Sequence, residues 1–458
     1  MENEVLLERF EQLAQEQNFR ELKDFLDDQL ITDIAELIYE APEQAALIIN
    51  QLTLGRAAAA FRILEFPTQE DIIRDLPAHK IAELLNELPP DDRTAFLGEL
   101  PSQAVTELIK LLNPEERKIT LALLGYPENS VGRIMTPDYI AAKSHWTVAK
   151  VLNHIRMYGR DSETIDVIYI IDNQGKLLDD FRIREFLLVS PDTLVETLMD
   201  HRFVSLHVND EQEEAVQIFR LENRVALPVL DDAGVMLGIV TIDDMLWILN
   251  EEHTEDIQKI GGTEALDEPY LDMPLLRLIK KRVGWLIILF IGEMLTASVM
   301  AYFEDEIAKA VVLAMFIPLI ISSGGNSGSQ ASTLIIQAMA LGELTIADWW
   351  RVMRREILSG IMLGSVLGLI GFIRILIWNS FFHTYGDHTV LIGLTLGVSL
   401  IGVVLWGTLS GSMLPLILKK AGADPASSSA PFVATLVDVT GLLIYFSVAY
   451  IFLKGILL

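Results

Sequence analysis

The chain has 458 residues and a formal net charge of −29, and both properties limit what it can be. A chain of this length is too long for one globular core, so several domains are expected. The residues before Val283 carry a net charge of −27 and the remainder a net charge of −2, so an acidic soluble half precedes a nearly neutral, apolar half. That balance argues against a nucleic-acid partner and attracts cations. The absence of cysteine excludes disulfides, thiolate metal ligands and cysteine nucleophiles.

Residues 1–132 are predicted to form an acidic, all-α superhelical domain. Four residue pairs that end in proline recur every twelve or thirteen residues, and proline is tolerated at the first position of a helix. Stacked short helices of this kind form a scaffold or an interaction surface. Because the N-terminus lacks the basic-then-apolar pattern of a signal peptide, this part is expected to stay in the cytosol. The pairs are Leu76-Pro77, Leu88-Pro89, Leu100-Pro101 and Asn113-Pro114.

Residues 133–252 change to alternating strands and helices that contain an internal repeat. The segment 170–175 matches the segment 229–234 at an offset of 59 residues. The second copy ends in Gly238-Ile-Val-Thr-Ile-Asp-Asp244, which resembles the ending of tandem CBS domains, whereas the first copy departs from it between Leu178 and Ile183. CBS pairs often bind adenine nucleotides, so the resemblance implies either a candidate ATP site or a purely structural role. Of the two copies, the first is the less expected to bind a nucleotide.

A connecting helix and linker, residues 253–282, is predicted to break at Gly261-Gly262 and Pro269 before a membrane domain, residues 283–458. Five apolar segments there are each near or above the twenty residues that span a bilayer. They lie at about 284–303, 310–341, 357–380, 389–418 and 430–454.

The basic residues that flank these segments predict the orientation. All the basic clusters fall on the side of the acidic half, so the positive-inside rule places the N-terminus in the cytosol and the C-terminus outside the cell (inner) membrane. The clusters are Lys280 to Arg282, Arg351 with Arg354 and Arg355, and Lys419 with Lys420, while the opposite loops, 304–306 and 382–388, have only Lys309 nearby.

Asp438 is a lone carboxylate in the last apolar segment. A carboxylate near the centre of a membrane helix costs about 2.5–3.5 kcal/mol on insertion scales, so such residues usually face a water-filled path or a partner. No basic residue lies within one or two helical turns of it. This pattern predicts the cation site of a channel or transporter, and a protonated or paired carboxylate inside the bundle is the alternative. Glu293, in the first segment, is a second carboxylate that could pair with a polar side chain.

The second apolar segment contains a run of glycine, serine and amide residues from Ile321 to Thr333. Such a run is poorly suited to lipid, and irregular backbone at membrane depth is tolerated only inside the protein or along a water-filled cavity. Close helix packing through small residues is the other explanation. Asn326 and Gln330 lie four apart, on one helix face. The predicted pore-lining residues are Gly325, Asn326, Gly328 and Gln330.

This order of domains resembles the MgtE family of magnesium channels over essentially the whole chain. The residues that carry the resemblance are the run 324–330, Pro431 and Phe432 with Thr435, the run 438–441, Thr254-Glu255-Asp256-Ile257 and Met135-Thr136-Pro137. The resemblance implies a multidomain membrane protein that has an all-α N-terminal domain, an α/β CBS pair, a connecting (plug) helix and five transmembrane helices. It also implies a homodimer in the bilayer, with a pore between its membrane domains and an Asp438 from each subunit on the axis. Because Mg²⁺ gives up water reluctantly, such a pore would bind the hydrated ion.

The resemblance further implies that cytosolic Mg²⁺ closes the pore by bridging acidic faces that otherwise repel each other. Three neutral residues, Ala95, Asn223 and Trp247, occupy positions where another acid is expected, which predicts a weaker or less cooperative sensor. For any one acid, a solvated surface charge is the alternative. The predicted metal-binding residues outside the pore are Asp91, Glu213, Asp244, Glu252, Glu255, Asp256 and Asp424.

Three other functions fit parts of the sequence. A carrier coupled to protons or sodium would use Asp438 and Glu293 as relay groups. A membrane enzyme regulated by CBS domains is disfavoured because His383 and His388 lie in an outer loop, away from any carboxylate cluster in the membrane. A CBS-bearing anion channel is disfavoured by the pore aspartate. Selectivity among Mg²⁺, Co²⁺, Mn²⁺ and Ca²⁺ is left open.

Overall fold

The computed structural model describes residues 2–16, 18–266, 270–271, 273–382, 385 and 388–457. Pro269 and the outer-loop residues His383, Thr384, Gly386 and Asp387 lie outside this range, as do Met1 and the side chain of Lys309. The chain divides into two compact units, Met1–Leu249 and Asn250–Leu458, which are described separately. The finer domain boundaries at 132, 252 and 282 stay predictions.

Short helices in series make up the N-terminal part of the first unit. They are α1 (Glu2–Gln15), α2 (Phe19–Asp27), α3 (Ile31–Glu40), α4 (Ala45–Gln51), α5 (Leu54–Arg62), α6 (Phe66–Asp75), α7 (Ala78–Glu87), α8 (Pro90–Glu99), α9 (Ser102–Ile109), α10 (Pro114–Leu123) and α11 (Val131–Ile134), with a 3₁₀ turn at Pro42–Gln44. Helices α7 to α10 begin at or directly after the four predicted prolines, because proline has the right φ for a helix start and its missing N–H is not needed there. The apolar faces of α1 to α8 form one core, which contains Leu22, Phe61 and Leu85.

Two three-stranded sheets follow, one in each repeat. They are built from β1 (Ala141–Ala142), α12 (Val148–Tyr158), β2 (Val167–Ile171), β3 (Leu177–Arg182), α13 (Ile183–Leu187), a 3₁₀ turn (Val195–Thr197), β4 (Leu206–His207), α14 (Gln212–Glu222), β5 (Ala226–Leu230) and β6 (Met236–Thr241). In each sheet the first pair of strands is parallel and the second is an antiparallel hairpin. The hairpin turns are alike: Asp172 Oδ1 accepts hydrogen bonds from two backbone N–H groups at 2.8 and 2.9 Å, and Asp231 Oδ1 does the same at 2.9 and 2.8 Å. The predicted repeat is therefore confirmed.

The two copies differ where the first copy departs from the CBS pattern. In the second copy Thr136 and Ile239 exchange two backbone hydrogen bonds of 2.8 Å. A Cβ at Gly238 would lie 2.6 Å from the carbonyl oxygen of Thr136, so only glycine allows this approach. In the first copy the matching residue is Asp179, whose Oδ2 accepts from the backbone N–H of Asp200 at 2.8 Å. A side-chain hydrogen bond replaces the backbone contact there.

The second unit contains the membrane half. Helix α15 (Ile242–Ile260) ends beside Gly262, whose φ of +76° stops it as predicted, and it begins before the predicted start of the connector. Within the described ranges, five helical segments are long and apolar enough to cross a membrane, which confirms the predicted number. The segments are α16 (Leu275–Tyr302), α18 with α19 (Val311–Ala314, Ile317–Ala340), α20 (Trp349–Phe382) after a 3₁₀ turn at Ile346–Asp348, α21 (Thr389–Lys420) and α22 (Ala430–Leu453), with α17 (Glu304–Lys309) and a 3₁₀ turn (Pro425–Ser427) in loops.

Helices α19, α21 and α22 pack through small residues and valines. A Cβ at Gly411 would lie 2.0 Å from the carbonyl oxygen of Gly328, and one at Gly407 would lie 2.5 Å from that of Gly324. The packing explanation of the glycine-rich run therefore holds for Gly324 and Gly328. Val403 and Val437 fill the core between the helices.

Candidate ion pathway and acidic cluster

Asp438 lies half-buried in the middle of α22, next to the backbone of α19. A Cβ at Gly325 would lie 3.6 Å from Asp438 Oδ1, so these two predicted residues are in contact distance. Glu293, on α16, is within electrostatic range of Asp438. Because Gly325 has no side chain, the backbone of α19 comes close to the carboxylate.

The other polar residues of α19 divide between two faces. Asn326 and Gln330 are exposed, and the Asn326 amide donates to Ser322 Oγ at 3.3 Å. On the opposite face, Ser329 Oγ and Ser332 Oγ each donate to a backbone carbonyl before or at the start of α22, both at 2.9 Å. The run thus holds α22 in place and presents two amides on an open surface.

In the first unit, three carboxylates lie within 4.0 Å of the guanidinium of Arg62, at the end of α5. Its Nε lies 3.0 Å from Asp92 Oδ2, and its other two nitrogens lie 3.9 Å from Glu163 Oε1 and 3.5 Å from Asp243 Oδ2. Asp91 interacts electrostatically with Arg62, and Asp244 interacts electrostatically with Asp91 and with Glu163. We call Asp91, Asp92, Glu163, Asp243 and Asp244 the acidic cluster. Its members come from the first turn of α8, the loop after α12 and the first turn of α15.

Burial and mutual repulsion raise the pKa values of the cluster. Burial raises the pKa of Asp92 to about 7, although Arg62 opposes this. Burial also raises the pKa of Asp244 to about 6, against a 2.6 Å hydrogen bond from Thr241 Oγ1. The pKa of Asp91 lies well above its ordinary value because of burial and the carboxylates of Asp244, Asp92 and Glu163. The cluster therefore favours any cation or proton that reduces its negative charge.

The cluster is not arranged as a finished metal site. In the described part of the chain, no group of three or more His, Asp or Glu side chains could hold a metal ion. Asp92, Glu163 and Asp243 instead lie beside the guanidinium of Arg62. Three neutral residues stand where the family resemblance leads one to expect an acid. Ala95 and Trp247 are exposed. Asn223 follows the last residue of α14 with a φ of 51°, a left-handed conformation that asparagine tolerates.

Glu255 and Asp424, both predicted as metal ligands, are also brought together, but by a basic side chain. Lys259 Nζ donates to Asp424 Oδ2 at 2.6 Å and pairs with Glu255. Burial acts to lower the pKa of Lys259, and the bonds to Asp424 and Glu255 outweigh it, so this pKa is raised. Asp424 Oδ1 also accepts from the backbone N–H of Ala426 at 2.8 Å. Of the remaining predicted acids, Glu252 and Asp256 are half-buried on α15, and Glu213 is exposed on α14.

Sequence reasoning missed Arg62, Asp92, Glu163, Asp243 and Lys259. The paired acids at 91–92 and 243–244 were a visible signal for two of them, because each pair opens a helix. No signal identified Arg62, which reaches Asp243 across 181 residues of chain.

A cleft of about 390 Å³ opens between the two CBS copies. Arg224 on its wall pairs with Asp180 at 2.6 Å. Arginine forks suit phosphate oxygens, so the cleft has groups that could bind a nucleotide. Its lining residues are Asp166, Val167, Arg182, Ile183, Arg184, Asn223, Arg224 and Val225.

Comparison with known proteins agrees with the order of domains in this chain. Family profiles match at residues 317–448 (MgtE, divalent cation transporter), 30–129 (MgtE intracellular N domain) and 195–251 (CBS domain). The magnesium transporter MgtE of Thermus thermophilus is 38% identical over 337 residues, which are 73% of this chain and 72% of the relative. That of Bacillus subtilis is 29% identical over 445 residues, 97% of this chain and 96% of the relative.

A solved structure is also similar. The cytosolic domain of the Mg²⁺ channel MgtE in complex with ATP is 30% identical, with a TM-score of 0.50, and covers 52% of this chain and 98% of that chain. The relatives are named as transporters, a non-enzymatic class. This chain is a multi-pass membrane protein that belongs to the MgtE family of magnesium transporters.

Proposed function

We propose that this chain is a self-limiting magnesium channel, in which Mg²⁺ enters the cytosol through a pore and closes it from the cytosolic side. The observation that carries the proposal is the contact between Asp438 and Gly325. It combines a carboxylate in the middle of a membrane helix with a neighbouring backbone position that has no side chain.

The pore lies at the interface of a homodimer in the cell (inner) membrane. The exposed amides of Asn326 and Gln330 on the same helix as Gly325 support this, because a second copy would enclose them. Two facing Asp438 carboxylates favour divalent over monovalent ions, and binding of the hydrated ion stays weak enough for release. The basic clusters that flank the spans support a cytosolic N-terminus and an outside C-terminus.

Closure by cytosolic Mg²⁺ is supported by the acidic cluster. The cluster has five carboxylates and one guanidinium, which pairs with three of them, so the close approach of α8 to the CBS repeats needs more positive charge. Mg²⁺ supplies that charge when it is plentiful. The predicted acids on α14 and α15 add to the same response, and Lys259 holds Asp424 near α15. The added acids are Glu213, Glu252, Glu255 and Asp256.

In this proposal ATP binds the cleft between the two CBS copies. The ATP complex of the similar MgtE cytosolic domain supports it, as do the arginines that line the cleft, Arg182, Arg184 and Arg224.

The test is single-channel recording from the purified protein in lipid bilayers while Mg²⁺ on the N-terminal side is raised from micromolar to about ten millimolar, where cytosolic ions would act. The proposal expects divalent unitary currents that close over this range. Flux without unitary currents, or flux that needs a proton gradient, would contradict the channel and favour a coupled carrier.

A further inference from the structure

We infer that Arg62 is a built-in cation of the acidic cluster: it takes the place of a divalent ion and holds α8 and α5 against the CBS repeats when Mg²⁺ is scarce. This inference rests on the proposed closure by cytosolic Mg²⁺. It assigns to Arg62 the fraction of the protein that is docked in the absence of Mg²⁺.

The contacts of Arg62 join different parts of the first unit. The Nε group is held at 3.0 Å by Asp92, on α8 of the same N-terminal domain. The two terminal nitrogens then face Glu163, which precedes β2, and Asp243, in the first turn of α15. One guanidinium thus connects the N-terminal helices with both CBS copies, as a bridging metal ion would.

The charge balance shows why one arginine is not enough. The cluster has five carboxylates and one guanidinium, so further cations or protons are needed. Asp91 is buried, with 6% of its surface exposed, and its Oδ1 has no hydrogen-bond partner among the described residues. Arg62 therefore neutralises the side of the cluster next to Asp92 and Asp243. The side near Asp91 and Asp244 is left for the divalent ion.

Arg62 and Mg²⁺ also act under different conditions. A guanidinium stays charged at every physiological pH and is weakly hydrated, so it bridges carboxylates at all Mg²⁺ concentrations. Mg²⁺ loses water reluctantly and binds only when it is abundant. We expect Arg62 to keep part of the population docked in the absence of Mg²⁺ and to make the response to Mg²⁺ shallower.

The experiment uses hydrogen–deuterium exchange of the full-length protein in lipid nanodiscs, in EDTA and at rising Mg²⁺. Exchange is followed in α8, in the loop around Glu163 and in the first turn of α15. The variant is Arg62→Gln. The control is Arg56→Gln, because Arg56 lies on the same helix, has similar exposure (29% against 28%) and pairs with Asp27 inside the N-terminal domain.

In EDTA, Arg62→Gln is expected to exchange roughly tenfold faster than wild type in the three segments, as fits the loss of a partly buried ion-pair network. Saturating Mg²⁺ should restore its protection, with a steeper dependence than in wild type. Arg56→Gln should follow wild type in these segments. Arg62→Lys, which keeps the charge without the planar fork, should lie in between and separates loss of charge from misfolding.

If Arg62→Gln matches wild type in EDTA while Mg²⁺ still protects both proteins, the role of Arg62 is wrong and the proposed closure stands. If Mg²⁺ protects neither protein, the proposed closure itself is wrong. The response of wild type to Mg²⁺ therefore distinguishes the two failures.

Discussion

Gly325 lies against Asp438, so that a Cβ at position 325 would be 3.6 Å from the aspartate Oδ1 and 3.4 Å from Cβ of Ala434. Both distances are ordinary van der Waals contacts. We expect Gly325→Ala to fold normally and to reduce Mg²⁺ flux severalfold, because the methyl group takes space that a hydrated ion uses. Flux into liposomes that contain a Mg²⁺-sensitive dye measures this.

Gly411→Ala is the matched comparison, since its Cβ would lie 2.0 Å from the carbonyl oxygen of Gly328. Two backbones would have to separate, which costs about 1–3 kcal/mol or more. A lower thermal unfolding midpoint in detergent is the expected result. If Gly325→Ala were destabilised as much as Gly411→Ala, the space beside Asp438 would be a packing feature and not part of an ion path.

Asp438→Asn tests the pore carboxylate itself. The amide has the same shape but no charge, so we expect divalent flux to fall by about tenfold or more, through the loss of the favourable site for the ion. Asp305→Asn is the control, because Asp305 is exposed on the short helix α17. Unchanged flux and selectivity in Asp438→Asn would show that the pore assignment is wrong.

The acidic cluster predicts that the stability of the first unit falls as pH rises. Burial raises the pKa of Asp92 to about 7 and that of Asp244 to about 6, above the values of an unfolded aspartate. The folded state therefore binds more protons, and the stabilisation present at low pH is lost as pH rises through 6 to 7. In EDTA we expect about 1–2 kcal/mol less stability at pH 8 than at pH 6, measured by chemical denaturation of the full-length protein.

Mg²⁺ gives the control for this pH effect. At pH 8 the ion should restore the lost stability, because it binds the ionised carboxylates that repel each other. Asp92→Asn should weaken the pH dependence, since one of the titrating groups of the cluster is gone. A pH dependence of the opposite sign in EDTA would contradict the predicted protonation.

Lys259 predicts a second response to cations. Its ammonium group lies between Glu255 and Asp424, and Lys259→Met leaves these two carboxylates without it. We expect a divalent ion to take its place, so that Mg²⁺ binding measured by calorimetry becomes severalfold tighter. Lys280→Met is the control, since Lys280 is exposed at the start of α16. Equal Mg²⁺ binding in the two variants would exclude a cation position at Lys259.

Arg184 predicts where a nucleotide binds. It is an exposed residue of the cleft between the two CBS copies, so Arg184→Ala removes a phosphate-binding group without disturbing a core. ATP affinity should fall about tenfold, in line with a charge-assisted hydrogen bond. Arg160→Ala, at an exposed residue outside the lining of the cleft, should bind ATP as wild type does. Equal ATP affinity in the two variants would place the nucleotide elsewhere.

Several features were predictable from sequence because they depend on local patterns. Proline positions predicted the starts of α7 to α10, and the match at an offset of 59 residues predicted the paired CBS hairpins. Long apolar runs predicted five spans. The first and third membrane-spanning helices, α16 and α20, begin earlier than the apolar segments predicted for them. Arginine and lysine are good helix formers, so the helix continues through charged residues that a hydropathy criterion leaves out.

The position of charges relative to one another was decided only by the tertiary structure. Lys259 meets Asp424 across 165 residues, and Arg62 meets Asp243 across 181. The sequence alone identified Asp91, Asp244, Glu255 and Asp424 as acids of interest, but not the basic side chains between them. Hydrophobic periodicity is a property of neighbouring residues, so it predicts helices and strands from the sequence. An ion pair depends on distances of a few ångströms, which only the packing of whole elements determines.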